Sequence, residues 1–538
     1  MMKHSNGGPA RRRPHRPAAF LRHAGLVGLA ASLLAGCTLT PEPIPQAEHV
    51  ARARQDRETL LTNAVPVTGP LSLGDAIARA LKFNYDAQLT KTELSLQEHQ
   101  LDLALMQMLP RLATSAGYNW RSNDNAASSV NVQTREQSLV PSFSEERDHV
   151  SGNIQFSWNA LDLGVSYFQA RQQGYRTFIA IERRRKVIQG IIKGVQEAYW
   201  KAIAAERLLP RLDPLLADAE AILEGSRQAT RDRLQRPLQA LDFQQTMLQI
   251  IGQLRRMRTD LGSAKTQLAA LINVPLTVEL PLASADGAFN PQRDGLDPRR
   301  LEELGLALRP ELRQEAYQER VDRQDVYKEI VKMMPGVGLL AGFNGDSNKY
   351  MFNNTWGELG VRATFNLVSI IQGPKAIAAA ETAVEISKGR RLALSVAVIT
   401  QVNLSYQEYL SALNELDTTQ QIDQVERQIA QVSAEANSAS AQSAAEGVRR
   451  RLAAMAAELE YARANSLVHT ALVNVYTAAG VDLVPPNADL EDLPTLSQHV
   501  RGAIADWEAG HLPSLAAMPV DVTQAGTPKP AQTSDTSR

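Results

Sequence analysis

The sequence predicts a duplicated, mainly α-helical chain with transmembrane β structure, built from two copies of a helix-strand-strand-helix repeat. Three observations predict it. One set of residues recurs at two constant offsets, long stretches carry heptad spacing, and four segments of about ten residues alternate apolar and polar side chains. The architecture expected is a long α-helical barrel continued by a membrane β-barrel shared between chains, four strands from each.

The first element is a leader. Ala24 to Gly36 is apolar, too short to span a bilayer, and follows Arg11, Arg12, Arg13, Arg16 and Arg22, as a secretory signal does. It ends in Leu34-Ala35-Gly36-Cys37, which matches the bacterial lipobox. That likeness implies cleavage after residue 36, diacylglycerol on the Cys37 sulfur, and an acyl chain such as palmitate on the new N-terminus. Cys37 is the only cysteine of the chain, so no internal disulfide competes for it. Lipidation of this kind anchors a protein durably, and Thr38 in place of Asp favours the outer membrane. Residues 37–70 read as a polar, lipid-anchored linker. Overall, 57 Lys and Arg face 58 Asp and Glu for a net charge of -1, which argues against nucleic acid as a partner.

The repeat comes next. Met108-Leu109-Pro110 and Ala116-Gly117-Tyr118-Asn119 return 225 residues later as Met333-Met334-Pro335 and Ala341-Gly342-Phe343-Asn344, with Asn84 and Asp86 mapping to Arg309 and Glu311. Asn159, Val195, Tyr199 and Ile203 return 207 residues later as Asn366, Val402, Tyr406 and Leu410. The change of offset places 18 extra residues of the first copy in the Ser/Asn/Glu-rich run 122–148, where a loop tolerates insertion. The first copy spans residues 71–275, the second 301–483, and 276–300 link them. The Pro-rich tail 484–538 is expected to be poorly ordered or laid along the helical surface.

Within the first copy, Ser72 with Asp75 predicts a capping box, and the helix resumes after Asn84 as far as Met108. Leu89, Leu96 and Leu103 form one heptad series and Leu94, Leu101 and Met108 another, roughly 140° away around the helix. A helix with two seams packs on both sides, as a stave does in a tube; a buried bundle helix is the alternative. Ile188, Ile192, Val195, Tyr199 and Ala202 continue coiled-coil spacing, with a break expected near Pro210 or Pro237. Two antiparallel segments of about fifty residues would each reach about 75 Å.

The strands are expected at about 110–121, 150–160, 335–344 and 357–367. Gly152, Ile154, Phe156 and Trp158 alternate with Asn153, Gln155 and Asn159, and Leu359, Val361 and Phe365 with Glu358, Arg362 and Asn366. Apolar outside and polar inside is the membrane-barrel pattern; a half-buried soluble sheet is the alternative. Asn153, Gln155, Asn159, Glu358, Arg362 and Asn366 are therefore the candidate lumen-facing residues, with Arg362 expected to pair with Glu358 or to bias passage toward anions. Four strands cannot close around a lumen, and open edges are intolerable in hydrocarbon, so chains must pool them. Two or three copies satisfy this equally.

Leu71-Ser72-Leu73-Gly74-Asp75-Ala76, Met108-Leu109-Pro110-Arg111-Leu112, Phe156-Ser157-Trp158-Asn159-Ala160-Leu161-Asp162-Leu163-Gly164 and Leu271-Ile272-Asn273-Val274-Pro275 resemble the signposts of the TolC-like outer-membrane factors, of the lipoprotein subtype, in that family's order. The resemblance covers roughly residues 71–483. It implies a homotrimer whose twelve-stranded barrel continues into a periplasmic helical tunnel. It also implies docking to an inner-membrane transporter through a periplasmic adaptor (membrane fusion protein), in tripartite efflux or type I secretion. The family's Gly-centred turn at the periplasmic tip is missing. The first copy reads Arg231-Asp232-Arg233-Leu234-Gln235-Arg236-Pro237 and the second Ala439-Ser440-Ala441-Gln442-Ser443-Ala444. Arg231, Asp232, Arg233, Arg236, Arg449, Arg450 and Arg451 are candidates for gate or adaptor contacts, with solvated helix charges as the alternative.

No catalytic constellation stands out. The histidines are scattered, no second cysteine exists, and Gly336-Val337-Gly338-Leu339-Leu340-Ala341-Gly342 lacks dinucleotide-loop spacing, so no enzyme, metal or cofactor beyond the Cys37 lipid is expected. The rival reading is a lipid-anchored periplasmic coiled-coil scaffold or adaptor. The cargo of a passive lumen is not written in these patterns.

Overall fold

The computed structural model describes residues 43–62, 67, 69–138, 140–231, 237–275, 280–283, 295–436, 441–485 and 492–514. Helix α1 (Gln46–Thr62) belongs to a unit of its own, and residues 65–538 form a second. Cys37 lies outside the described residues.

The second unit runs α2 (Leu73–Phe83), α3 (Tyr85–Met106), β1 (Arg111–Trp120), β2 (Asp148–Asn159), α4 (Ala160–Arg231) and α5 (Pro237–Leu271). It then repeats as α6 (Pro298–Leu308), α7 (Pro310–Lys332), β3 (Gly336–Asp346), β4 (Thr355–Thr364), α8 (Leu367–Ala436) and α9 (Ala441–Ala478), before a last helix α10 (Leu493–Glu508). Both offsets survive at the level of elements. Leu73 and Pro298, like Arg111 and Gly336, start equivalent elements 225 apart; Asp148 and Thr355, like Ala160 and Leu367, start them 207 apart. The length difference sits between the strands. The 121–147 connection folds into a small hairpin with bridges Ala127↔Ser142 and Val130↔Gln137, against a tight loop at 347–354.

The duplication reaches single hydrogen bonds. Ser72 caps α2 in a full capping box with Asp75. Asn84 closes α2 and opens α3, accepting from the Asp86 N–H, while its Nδ2 donates to the Leu271 carbonyl at 3.1 Å. Its counterpart Arg309 donates through Nη1 to the Ala478 carbonyl at 3.2 Å, and Leu271 and Ala478 are themselves counterparts. Just beyond them, Asn273 (φ 52) and Gly480 (φ 71) take the left-handed conformation that ends a helix. At Gly480 this is obligatory, because a Cβ would lie 2.6 Å from the Arg309 nitrogen.

The long helices set the width of the wall. Near the strands, α4 lies between α3 and α7, with α8 beyond α7. Leu101 approaches Gly174, Gln172 Nε2 donates to the Val321 carbonyl at 3.0 Å, and Phe168 and Phe178 stack on Tyr327 and Tyr317. Farther from the strands, α4 lies between α5 and α9, with α8 again beyond. Arg255 pairs with Glu220, Lys265 with Glu206, Arg211 with Glu458 and Arg427 with Glu458. Val195, Ala202, Leu212, Leu254, Leu268 and Val468 are wholly buried along this line. At ~1.5 Å per residue, the 72 residues of α4 reach about 110 Å.

Of the two places expected for the break, the one near Pro237 holds, with α4 ending at Arg231 and α5 opening at Pro237. Helix α4 does not break at Pro210: it runs through both Pro210 and Pro214. Each proline removes one backbone bond, but Leu208, Leu212 and Leu215 are buried among α4's neighbours and hold the segment helical. Within the tail, α10 lies against the helical surface, one of the two dispositions expected. Ser497 Oγ donates to Asp75 Oδ1 at 2.5 Å, Tyr476 stacks on Trp507 at 4.5 Å, and the Tyr476 hydroxyl donates to the Trp507 carbonyl. Ahead of α2, Leu71 pairs in parallel with Leu282.

Candidate functional site

The four strands form one antiparallel sheet in the order β1-β2-β3-β4, leaving one edge each of β1 and β4 unpaired. The register sets Leu112, Phe156, Ala341 and Leu359 side by side on one face, with Thr114, Ile154, Phe343 and Gly357 in the next row. Leu112 and Leu359 are 73% and 85% exposed. Leaving such a side chain in water forfeits about 2 kcal/mol, so the face is built for an apolar surrounding. Aromatic residues border it: Tyr118 and Trp120 at the loop end, Trp158 at the helix end. From Val150 to Trp158 is about 27 Å along the strand at ~3.4 Å per residue. No helix among the described residues is long and apolar enough to cross a membrane.

The other face brings together Asn153, Gln155 and Asn159 of β2, Gly338, Gly342 and Asn344 of β3, Glu358 and Arg362 of β4, and Arg111 of β1. Asn153 and Gln155 are half-buried while Ile154 and Phe156 between and beyond them are exposed, as in a sheet curved toward its polar side. Ser115 Oγ donates to Asn153 Oδ1 at 2.9 Å.

Two candidate residues have a different task. Strand β4 ends at Thr364, so Asn366 is not part of the wall; its Oδ1 accepts from the Val368 N–H at 3.1 Å and starts α8. Asn159, the last residue of β2, accepts from the Leu161 N–H at 2.9 Å and starts α4. The duplicated asparagines are joints between strand and helix. The expected Glu358–Arg362 pair is absent, because four residues along one strand separate them by about 13 Å. Arg362 instead lines, together with Arg111, a cavity of about 280 Å³ at the joint.

The exposed apolar residues of the helices concentrate on the outermost ones. Leu89, Leu96 and Leu103 of α3 and Leu238, Leu241 and Leu248 of α5 are exposed on the β1 side; Leu392, Val396, Leu404, Val425 and Val432 of α8 are exposed on the β4 side. Of the two seams expected on α3, the Leu94-Leu101-Met108 series is partly covered and the other is open. One chain thus leaves apolar stripes beside both sheet edges.

The sequence matches no family profile and no curated protein. Solved structures do match in three dimensions. The CmeC outer membrane channel of Campylobacter jejuni is 13% identical, with a TM-score of 0.58 over 80% of this chain and 89% of that one. CusC, whose structures describe folding and transmembrane channel formation, is 14% identical, with a TM-score of 0.56 over 76% and 92%. The outer membrane protein VceC of Vibrio cholerae is 14% identical, with a TM-score of 0.54 over 76% and 96%. The chain has the TolC-like outer-membrane channel fold.

In the TolC-like fold the end of the long helices away from the sheet is the second point of interest. Asp232, Arg233 and Arg236 lie outside the described residues. Arg231 ends α4 and pairs with Glu224 at 2.9 Å. Arg449 and Arg450 pair locally with Glu446 at 2.9 and 2.8 Å, which is the solvated-charge alternative. Arg451 reaches across to Asp218 of α4 at 3.0 Å, so of the described candidates it alone ties one copy to the other. The stronger tie had not been singled out from sequence. Buried Glu458 of α9 accepts from Arg211 of α4 at 2.5 Å and lies 3.7 Å from Arg427 of α8. A further cluster joins the copies nearer the sheet, where buried Glu182 meets Arg185 at 2.6 Å and Arg313 at 3.3 Å, and Arg185 meets Asp482 at 2.7 Å. Burial works against the Arg185 charge, but the Asp482 and Glu182 carboxylates outweigh it and hold the guanidinium above its ordinary range. The ties between the copies have no local sequence signature, since Arg211 and Glu458, Glu182 and Arg313, and Arg185 and Asp482 are each more than 100 residues apart. Among the described residues no group of three His, Cys, Asp or Glu is placed to hold a metal.

Proposed function

We propose that this protein is the outer-membrane conduit of an export system, a passive trimeric channel from the periplasm to the exterior. It is anchored by lipid on Cys37 and works with a periplasmic adaptor and an inner-membrane transporter in tripartite efflux. The observation that carries the reading is the pair of open edges. An apolar-faced sheet of four strands has unpaired backbone groups on β1 and β4, each costing several kcal/mol in hydrocarbon. The apolar stripes on α3 and α5 and on α8 continue those edges along the helices. Joining the β1 edge of one copy to the β4 edge of the next is a head-to-tail contact, and such contacts close into rings. The resemblance to the TolC-like outer-membrane factors implies three copies and twelve strands. Export of polypeptide in type I secretion would use the same wall; nothing in the side chains selects it.

The test is conductance. Full-length protein extracted from outer membranes and added to planar bilayers should give discrete ion-conducting steps. Protein that folds and assembles but never conducts would instead support the scaffold reading.

A further inference from the structure

The joint between sheet and helices holds two arginines that the fold does not use. Arg111, first residue of β1, and Arg362 of β4 lie on the polar face in adjacent rows, because Arg111 is aligned through Ser157 and Leu340 with Gly360, while Arg362 pairs with Gly338 and, through it, Asn159. They come from the two opposite edges of the sheet, yet both line the cavity of about 280 Å³. Elsewhere in the wall several arginines are paired with carboxylates, Arg211 with Glu458, Arg451 with Asp218, Arg255 with Glu220 and Arg185 with Asp482. Arg111 and Arg362 make no ion pair among the described residues. Glu358 stands four residues from Arg362 along β4 and outside the lining, and Asp162, which is in the lining, pairs with neither.

Two guanidinium groups over one small cavity, with Gln107, Ser157 and Asn159 as further polar lining, are suited to an oxyanion. Each guanidinium presents a planar fork of donors matching carboxylate or phosphate oxygens, and each is more easily stripped of water than an ammonium. We infer that this joint is a binding site for cargo bearing a carboxylate or phosphate, engaged in passage through the lumen. One carboxylate against two guanidinium groups leaves each chain a net positive site there, and three chains would repeat it around the axis. The inference rests on the conduit reading for the word cargo, but the site itself can be tested without conduction.

Isothermal titration of the full-length protein in detergent at physiological salt, with inorganic pyrophosphate and separately with glutarate as probes, measures the site directly. Saturable binding of at least one probe is expected, weakened at least tenfold in Arg111→Gln and in Arg362→Gln and unchanged in Glu358→Gln. Should the glutamine variants fail to assemble, the lysine variants keep the charge and should still bind several-fold more weakly, because the planar fork is lost. No saturable binding to the wild type, or equal binding by the assembled arginine variants, overturns the site. In bilayers under a KCl gradient, the double variant should shift the reversal potential toward potassium selectivity. Binding without conductance would keep the site and remove the conduit; conductance without binding would do the reverse.

Discussion

His469 shows how little an isolated side chain announces itself. In the sequence it is one scattered histidine; in the fold it is buried on α9, stacked on Trp200 at 4.2 Å, with Glu508 of α10 at 3.6 Å. Burial lowers its pKa to about 4 from the ordinary 6.5. Above pH 6.5 the ring is neutral folded or unfolded and costs nothing. As pH falls from about 6.5 to about 4 the unfolded chain takes the proton and the folded chain does not, so stability is lost, by about 3 kcal/mol in all. Burial raises the Glu508 carboxyl and acts in the opposite sense, so a variant must isolate the histidine. His469→Phe, which keeps a stacking ring, should lose less stability between pH 7 and pH 4.5 than the wild type in urea titrations. An equal loss would place the acid sensitivity elsewhere. By contrast, Ser72 with Asp75, and the matched Asn84 and Arg309, were legible because a cap is written in neighbouring residues. The Arg362 partner differs from the one expected because sharing a strand face does not bring Glu358 near, with four residues along β4 separating them by about 13 Å.

Strands and long helices were readable where their period is uninterrupted. Alternation placed all four strands to within about two residues, with β4 starting earlier and ending three residues short of the expected 367. The shortfall occurs because Asn366 serves α8 and cannot also continue the ladder. Of the two prolines offered as the break, Pro237 opens α5 while Pro210 stays within α4, because packing from α5 and α9 outweighs local propensity there. The docking of α10 on α2 had no local signal, for its partners Asp75 and Tyr476 lie far away in sequence. The face assignment makes a sharp demand on β2. An arginine near the middle of a membrane-facing strand costs about 2–4 kcal/mol, so Phe156→Arg should abolish recovery of assembled protein from outer membranes. Asn153→Arg, on the polar face and one row from Gln155, should leave it. Equal tolerance in outer-membrane fractionation would mean that the sheet faces water on both sides.

The second unit, residues 65–538, is a stave. Its interior is complete: each copy is closed on itself at Asn84 or Arg309, the two are tied by Glu182 with Arg313 and by Glu458 with Arg211, and the core runs from Ile77 through Leu268 to Val468. Its flanks are not. The duplication and the strand count already implied this in the sequence, because two copies of two strands fall short of any closed barrel; the copy number was not implied, since two and three both close. The arrangement in space adds that the incompleteness runs the length of the molecule, from the β1 and β4 edges down the exposed leucines and valines of α3, α5 and α8. The most direct measurement is the mass of the full-length protein extracted from membranes in mild detergent, by native mass spectrometry. Three chains per particle are expected; a particle holding one chain, stable and folded, would contradict the account.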